Sequence, residues 1–390
     1  MALLFSDEEM EFREKAKDFV RREIVPKVDE IEKDNVFPKD IIRNLGKEGF
    51  LGIMHPQEYG GSDKGMVYEI ILAEEISSVV PSLDMSRMTS ATLYGISINR
   101  NATDAQKKKY LTPIIEGKKI GAIAITEPNA GSDVAAMETT AQKDGNDWII
   151  NGEKRFITNG SVSDYMILFA ITDPNVDPRQ GMTAFIIECD RPGFRVIKDY
   201  DLMGMKGCRN THFTLEDYRI GEENILREPN EGFRILMDEL DSERVAIAGE
   251  AVGYARGAFE TAVKYSTERV QFKRPIRKFE AISFRIADMG VKIEAARLLT
   301  LRAARMVDKG LRATKEASMA KLFATEMAFQ VCDDALQVLG GIGYTNEAVV
   351  EKLMRDSRLM RIGGGTSEVQ RFVIQREIYK ELEEKNRKES

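Results

Sequence analysis

Cysteine and histidine are scarce in this sequence of 390 residues. The three cysteines, Cys189, Cys208 and Cys332, lie far apart and form no CxxC spacing, which indicates a reducing compartment and no structural zinc site. The two histidines, His55 and His212, lie far apart in the chain, so no pair of histidines at metal-ligand spacing is present. A metal-dependent hydrolase therefore has almost no support, and no metal site is predicted.

Long apolar runs and clusters of one charge are also lacking. No window approaches the ~18 consecutive apolar residues that a membrane span requires. The net charge is −7, with lysine and arginine interspersed among aspartate and glutamate, so no basic patch is available for nucleic acid or an acidic membrane surface. The N-terminal MALLFSDEEMEFREKAKDF has the features of neither a secretory signal nor a transit peptide, and a cytoplasmic location is expected.

Two catalytic signatures are missing as well. The sequence contains no GxSxG nucleophile elbow and no GxGxxG fingerprint after a strand. Because histidine is so rare, acid and base chemistry must come from carboxylates, and redox chemistry must come from a bound cofactor.

Hydrophobic periodicity divides the chain into three parts. Apolar residues recur at helical spacing in residues 1–118. Residues 119–230 contain short runs rich in Ile, Phe, Thr and Tyr between Asn-Gly, Asp-Gly and Pro-Gly turns, which predict a β domain. Residues 231–390 are helical again and contain almost no proline. The order helical, β, helical predicts an α+β fold and argues against a Rossmann sheet.

Three loop segments have compositions that suit ligand binding. ITEPNAGSD at 125–133 follows a strand and forms a turn with exposed N–H and hydroxyl groups. FITNG at 156–160 ends a strand, and RIGGGTSEVQ at 361–370 places three glycines before a helix, with Ser367 as cap and Gln370 three residues on. A capped surface turn, an ordinary strand end and a flexible linker explain the same segments without a ligand.

Glu243 is the first of two candidate carboxylates. It shares a predicted helix face with Leu236, Leu240 and Ile247, so its carboxylate projects from an apolar stripe. Burial would raise its pKa and make it a proton acceptor near neutral pH. The alternative is a buried ion pair, either with Arg244 or with an arginine of another helix.

Five motifs, in this order, resemble those of the acyl-CoA dehydrogenase family: TEPNAGSD, FITNG, ERVQF at 268–272, LQVLGGIGY at 336–344 and GGTSEVQ at 364–370. The resemblance covers essentially the whole chain. It implies an FAD-dependent oxidoreductase that removes a proton and a hydride from the acyl part of a coenzyme A thioester. The implied fold has an N-terminal helical domain, a middle antiparallel β domain and a C-terminal four-helix-type bundle. A homotetramer, arranged as a dimer of dimers, and an electron-transfer flavoprotein as electron acceptor are also implied.

The matched motifs imply the cofactor contacts. Ile125, Thr126 and Ser132 would line the flavin and the thioester, and Phe156 and Thr158 would lie against the flavin ring. Most family members carry Trp where Phe156 stands.

Further contacts would come from the C-terminal part. The FAD of a neighbouring subunit would be held by Arg269, Phe272, Gln337 and Gly341, and its adenosine part by Thr366 and Glu368. The residue after Phe272 is usually glycine in the family and is Lys273 here, which questions the local loop shape. The coenzyme A arm would bind Phe233, Asp241 and Arg244.

The expected catalytic base is missing from its usual place. Most relatives carry Glu two residues before the Thr of the terminal motif, where this chain has Gly364 beside the acyl group. Glu243 matches an alternative position used by relatives that act on isovaleryl or long-chain thioesters. It is therefore the first choice of base.

Asp84 is the second candidate acid. It lies near a predicted helix start at Pro81, where the helix dipole favours an acid. By resemblance it matches an Arg that meets the distal carboxylate in glutaryl-CoA dehydrogenases, so a dicarboxylic acyl group is disfavoured. It could also be a base for a remote C–H bond in a cyclohexane- or cyclohexene-carboxyl thioester. The hypothesis is a compact, neutral substrate, with an alicyclic ring as one candidate.

Three other functions remain open. One is α,β-dehydrogenation of a short or branched acyl group with Glu243 as base. Another is an oxygen-using oxidase or monooxygenase on the same fold. The third is a coenzyme A binder without catalysis.

Overall fold

The computed structural model describes residues 4–389. The first part of this range is built from helices. Ser6 caps the first helix by a capping box, in which its hydroxyl accepts from Glu9 N at 3.2 Å and its own N–H donates to the Glu9 carboxylate at 2.8 Å. The α-helices of this part are α1 (Asp7–Phe19), α2 (Val28–Glu32), α3 (Lys39–Lys47), α4 (Met66–Ser77), α5 (Pro81–Arg87), α6 (Gly95–Asn101), α7 (Asp104–Tyr110) and α8 (Thr112–Ile115). Because α4 is buried on every side, it forms the centre of this domain.

The middle part folds into a seven-stranded sheet. Its elements are β1 (Gly121–Ala124), β2 (Thr140–Asp144), β3 (Asp147–Thr158), β4 (Tyr165–Ile171), the short helix α9 (Pro178–Gly181), β5 (Met182–Glu188), β6 (Phe194–Asp199) and β7 (Asn210–Gly221). The strand order is β1-β4-β2-β3-β7-β6, and β5 pairs with β4. The antiparallel prediction is confirmed for β2–β3, β3–β7, β4–β5 and β6–β7. The structure adds parallel pairing of β4 with β1 and β2, because the β2–β3 hairpin lies between β1 and β4 in the chain.

The last part is a bundle of long helices. It comprises α10 (Gly232–Glu268), the hairpin of β8 (Val270–Gln271) and β9 (Arg274–Pro275), α11 (Glu280–Asp308), α12 (Thr314–Leu339), α13 (Val349–Leu359) and α14 (Ser367–Glu389). Glycines on α10 allow α4 to approach closely, since a Cβ on Gly249 would lie 2.9 Å from Ile70 and one on Gly253 would lie 2.8 Å from the Glu74 carbonyl oxygen. The helical N-terminal and C-terminal parts therefore share one packed interface.

None of the helices in residues 4–389 combines the length and apolar character needed to cross a bilayer.

Candidate active site

A buried ion pair holds the loop after β1 that carries TEPNAGSD. Lys154 Nζ lies 2.7 Å from Glu127 Oε1 and donates to the Ile125 carbonyl oxygen at 3.2 Å. Burial lowers the pKa of Lys154 to about 8, although the Glu127 carboxylate acts in the opposite direction. The pair fixes the backbone of the loop and leaves Thr126 partly exposed and Ser132 exposed.

Phe156 presents its ring to solvent from a bulge in β3. The β3–β7 register shifts between Lys154 and Ile157, and Phe156 has a φ of +56°. The side chain is 57% exposed and stacks on Tyr200, with ring centroids 4.7 Å apart. Thr158 follows at the end of the strand, partly exposed.

The side chains of these two segments fit an isoalloxazine ring. Phe156 offers an aromatic ring that stays largely exposed beside Tyr200, and Thr126 and Thr158 offer hydroxyl groups that are only partly exposed. Asn159 has a structural role in the same turn, because its amide donates to the carbonyl oxygens of Ser86 at 2.8 Å and Gly121 at 3.3 Å. The turn is thereby tied to the N-terminal helices.

The carboxylate of Glu243 lies beside Gly364. Glu243 is on α10, and a Cβ built on Gly364 would be 3.3 Å from its Oε1 atom. Its side chain is half-buried, and within residues 4–389 it makes no hydrogen bond or ion pair. Burial raises the pKa of Glu243, while the charges of Arg244 and Lys321 act against this rise. The carboxylate therefore lies beside the position where the resemblance places the usual base.

The alternative ion pair between Glu243 and Arg244 is absent from the described part of the chain. Arg244 Nη1 instead lies 3.1 Å from Asp241 Oδ1, and the other Asp241 oxygen accepts from the Thr314 hydroxyl at 2.8 Å. Arg244 is buried, and Phe233, near the start of α10, is partly buried. The three residues expected at the coenzyme A arm thus lie on the same helix as Glu243.

The glycine-rich loop before α14 is more ordered than a linker. Gly364 and Gly365 have φ of +61° and +81°, and the Gln370 side-chain amide donates to both of their carbonyl oxygens at 3.1 and 3.0 Å. Ser367 was the expected helix cap, but Thr366 has this role, with its hydroxyl accepting from Val369 N at 3.3 Å. The cap is shifted by one residue because α14 already begins at Ser367.

Glu368 is exposed in the first turn of α14. Hydrogen bonds from its own backbone N–H and from the Thr366 hydroxyl lower its pKa.

Asp84 belongs to a buried ionic cluster. Its side chain is fully buried and accepts from Arg87 Nε at 2.5 Å and from the Ser77 hydroxyl at 3.2 Å. The same guanidinium donates to both oxygens of Glu69, at 2.7 and 3.0 Å. Burial raises the pKa of Asp84. The pKa of the neighbouring Glu250 is also raised, mainly by burial and in addition by the Asp84 charge. The contacts of Asp84 are therefore those of a structural acid.

The residues expected at a neighbouring subunit's FAD are all exposed: Arg269, Phe272, Gln337 and Gly341. Phe272 and Lys273 form the turn of the β8–β9 hairpin, with φ of +47° and +62°. Lys273 thus adopts the left-handed conformation that suits the glycine usual at this position.

Two lysines near these sites were not singled out by the sequence reasoning. Lys154 and Lys321 are fully buried. The sequence did contain a signal for their burial, which is a lone lysine in an otherwise apolar or small-residue segment, as in ASMAKLFA at 317–324. A buried lysine needs a polar partner, and such a partner marks a constrained site.

Sequence models of three domains match the chain. These are the acyl-CoA dehydrogenase N-terminal domain at residues 6–118, the middle domain at 122–218 and the C-terminal domain at 230–379. A 3-(aryl)acrylate reductase of Clostridium sporogenes is 42% identical over 97% of this chain and 100% of its own length. The CarC subunit of the caffeyl-CoA reductase-Etf complex of Acetobacterium woodii is 40% identical over 95% of this chain and 98% of its own.

A solved structure has the same fold. Butyryl-CoA dehydrogenase of Megasphaera elsdenii superposes with a TM-score of 0.94 at 36% identity, covering 97% of this chain and 100% of that one. The resemblance read from five motifs is therefore confirmed at the level of the family, while the cyclohexane-carboxyl branch is not shown. The chain belongs to the acyl-CoA dehydrogenase family and is an FAD-dependent oxidoreductase that acts on CH–CH groups of acyl-CoA thioesters.

Proposed function

We propose that Glu243 is the base that removes the α-proton of a compact, neutral acyl-CoA. The α C–H bond breaks, the proton passes to the Glu243 carboxylate, and the electron pair forms the Cα=Cβ bond as a hydride leaves Cβ. FAD, when bound, accepts that hydride. The bonds broken and formed then balance without any further reactant.

The observation that carries this proposal is the approach of Glu243 to Gly364. A glycine cannot take a proton, and the Oε1 atom of Glu243 lies 3.3 Å from where a Cβ would begin at that position. The carboxylate makes no hydrogen bond within residues 4–389, so no partner has to be displaced before it takes a proton. Its raised pKa also makes it a stronger base than an exposed glutamate.

Asp84 is not retained as a base. Reaching a substrate would require it to leave Arg87, and the guanidinium would then face Glu69 alone in a fully buried cluster. Breaking a buried ion pair costs about 3–5 kcal/mol. A remote γ-proton abstraction by Asp84 therefore has less support than α-proton abstraction by Glu243.

For the acyl group of the substrate we propose two candidates. An alicyclic ring fits a compact, neutral substrate. A flat aryl group conjugated to the thioester is the second candidate, because relatives named 3-(aryl)acrylate reductase and caffeyl-CoA reductase-Etf complex subunit are 42% and 40% identical to this chain. For an aryl substrate, the same site would also run the reaction towards reduction of the double bond.

A panel of thioesters tests the proposal. Straight, branched, dicarboxylic, alicyclic and 3-arylpropanoyl thioesters are added anaerobically to the holoenzyme, and bleaching of the flavin absorbance is followed. We expect bleaching by neutral compact or aryl thioesters, loss of bleaching in Glu243→Gln, and retention in Glu260→Gln, an exposed glutamate on the same helix. Full bleaching by the Glu243→Gln variant would refute the proposal.

We further propose an electron-transfer flavoprotein as electron acceptor in the cytoplasm. The name of the Acetobacterium woodii relative, a subunit of a complex with Etf, supports this choice. Release of peroxide in air, with no reduction of such a flavoprotein, would favour the oxidase alternative.

A homotetramer is proposed as the assembly. Large apolar side chains are exposed on α11 at intervals of seven residues: Phe284, Val291 and Leu298. Phe272 and Tyr344 are also 87% and 86% exposed. Apolar surface of this kind is usual where subunits meet. Sedimentation equilibrium of the holoenzyme gives the number of subunits directly, and a monomer would contradict the proposal.

A further inference from the structure

Lys321 is a buried lysine on α12 that reaches the glycine-rich loop. Its side chain is fully buried, and its ammonium group donates to the carbonyl oxygen of Gly365 at 2.7 Å. Burying an ammonium group is costly unless it is hydrogen-bonded, so this contact restrains both the lysine and the loop.

The loop that Lys321 holds lies directly beside the Glu243 carboxylate. Gly364 and Gly365 are both in the left-handed region, and the Gln370 side-chain amide also donates to their carbonyl oxygens. With the Gly364 Cβ position 3.3 Å from Glu243 Oε1, any shift of the loop changes the space around the carboxylate. The lysine thus acts on the base through a defined piece of backbone.

Lys321 also interacts electrostatically with Glu243. Burial lowers the pKa of Lys321 to about 8, and the Glu243 carboxylate opposes this effect. Glu243 also faces Arg244, whose guanidinium is engaged by Asp241, and the buried Glu239 one turn before it on α10.

Three further residues make the largest other charge contributions at Lys321. Glu326, on the same helix, and Glu368, on α14, favour its charged form, and Arg244 opposes it. The neighbouring glutamates thus favour the positively charged form of Lys321 near the base.

We propose that Lys321 is a positioning residue for the Glu243 base. It holds the 364–365 backbone against the carboxylate and supplies the positive charge that keeps the carboxylate ionised when a substrate excludes water. This inference rests on the proposed function, in which Glu243 removes the α-proton.

Two variants separate the charge from the hydrogen bond. Lys321→Gln removes the charge and keeps an amide donor, whereas Lys321→Met removes both. Lys315→Met is the matched control, because Lys315 lies on the same helix and pairs with Glu381 at the surface. FAD content and Tm are measured first, so that only folded holoenzyme is compared.

The pH profile of kcat/KM is the main readout. Ionised Glu243 is the active form, so activity rises as pH passes its pKa. Removing a nearby positive charge raises that pKa. We expect the acidic limb to move up by about one pH unit in both Lys321 variants, which lowers kcat/KM about tenfold below the limb. Lys321→Met should also lose activity on the plateau, and Lys315→Met should match the wild type.

A second readout isolates proton abstraction. A 3-thiaacyl-CoA has no hydrogen on its β-atom and cannot give a hydride, so exchange of its α-hydrogen for deuterium reports the base alone. Exchange should be slower in Lys321→Met and Lys321→Gln and absent in Glu243→Gln.

The outcomes distinguish the two proposals. If Glu243→Gln still exchanges, the assignment of the base is wrong and this inference is overturned with it. If Glu243→Gln is inert while both Lys321 variants keep the wild-type pH profile and exchange rate, only the role of Lys321 is overturned.

Discussion

The carboxylate of Glu74 on α4 and the guanidinium of Arg297 on α11 meet at 2.8 Å, with both side chains almost fully buried. Arg13 on α1 and Arg256 on α10 bind the same carboxylate at 2.6 and 3.0 Å. One side chain of the N-terminal domain thus joins two helices of the C-terminal bundle.

Acid should weaken this junction. Burial alone raises the pKa of Glu74, but the charges of Arg297, Arg13 and Arg256 outweigh it and lower the pKa from 4.5 to about 2. A carboxyl whose pKa is lower in the folded state stabilises the fold above its unfolded pKa, and this stabilisation is lost as pH falls from 4.5 towards 2. We expect Glu74→Gln to cost about 3 kcal/mol at pH 7. Thermal unfolding should show a Tm gap to wild type that closes below pH 4.5.

Glu260→Gln is the control for this experiment, because Glu260 pairs with Arg256 at the exposed end of the same network. Its Tm should differ little from wild type at any pH. A Tm gap for Glu74→Gln that is the same at pH 7 and pH 3 would contradict the assigned pKa shift.

A methyl group at Gly364 should lower both the stability and the activity of the protein. A Cβ at this position would overlap Cδ1 of Ile247, and the φ of +61° is unfavourable for any side chain. We expect Gly364→Ala to lower stability by about 1–3 kcal/mol. It should also lower kcat/KM, because it displaces the 364–365 loop beside Glu243. Gly363→Ala is the matched control, since the nearest atom to its Cβ would be the Leu359 carbonyl oxygen at 4.0 Å. Equal Tm values for the two variants would show that the loop is free to adapt.

Removing the Asp84 charge should affect stability and leave the pH profile unchanged. In Asp84→Asn, Arg87 keeps its bidentate contact with Glu69, but one buried charge partner is lost, so Tm should fall. The pH profile of kcat/KM should stay that of the wild type, because Glu243 remains in place. An inactive Asp84→Asn variant with wild-type Tm and full FAD content would restore Asp84 as a base.

Phe156 should contribute to FAD affinity. Covering its exposed ring with the flavin would stabilise the complex by about 1.5–3 kcal/mol, so Phe156→Ala should weaken FAD binding by about tenfold to a hundredfold. Phe156→Trp should bind FAD like the wild type, since an indole offers a larger face. The measurement is FAD titration of the apoprotein. Val176→Ala, at another exposed apolar side chain of the same domain, should leave the affinity unchanged.

Some parts of the candidate site were readable from local sequence. The strand end at 156–160 and the glycine-rich loop at 364–365 were recognisable because turn chemistry depends on neighbouring residues. The bulge at Phe156 was not predicted. The cap of α14 shows the limit of such reading, because Ser367 and Thr366 are both competent caps and only the helix start decides between them.

By itself, the sequence determined the order of helical, β and helical parts, because hydrophobic period and turn residues act over a few positions at a time. It also determined the family through five ordered motifs. Only the tertiary structure decided that Glu243 faces Gly364, that Arg87 engages Asp84 and that Lys321 reaches the Gly365 carbonyl oxygen. The contacts of Glu243 and Lys321 join segments far apart in the chain, whereas Arg87 is a neighbour of Asp84 on α5. For Glu243 and Lys321 the packing of helices, which no local pattern encodes, selects the partner. For Asp84 the partner is three residues away on the same helix, and helix packing decides only that the pair is buried with Glu69.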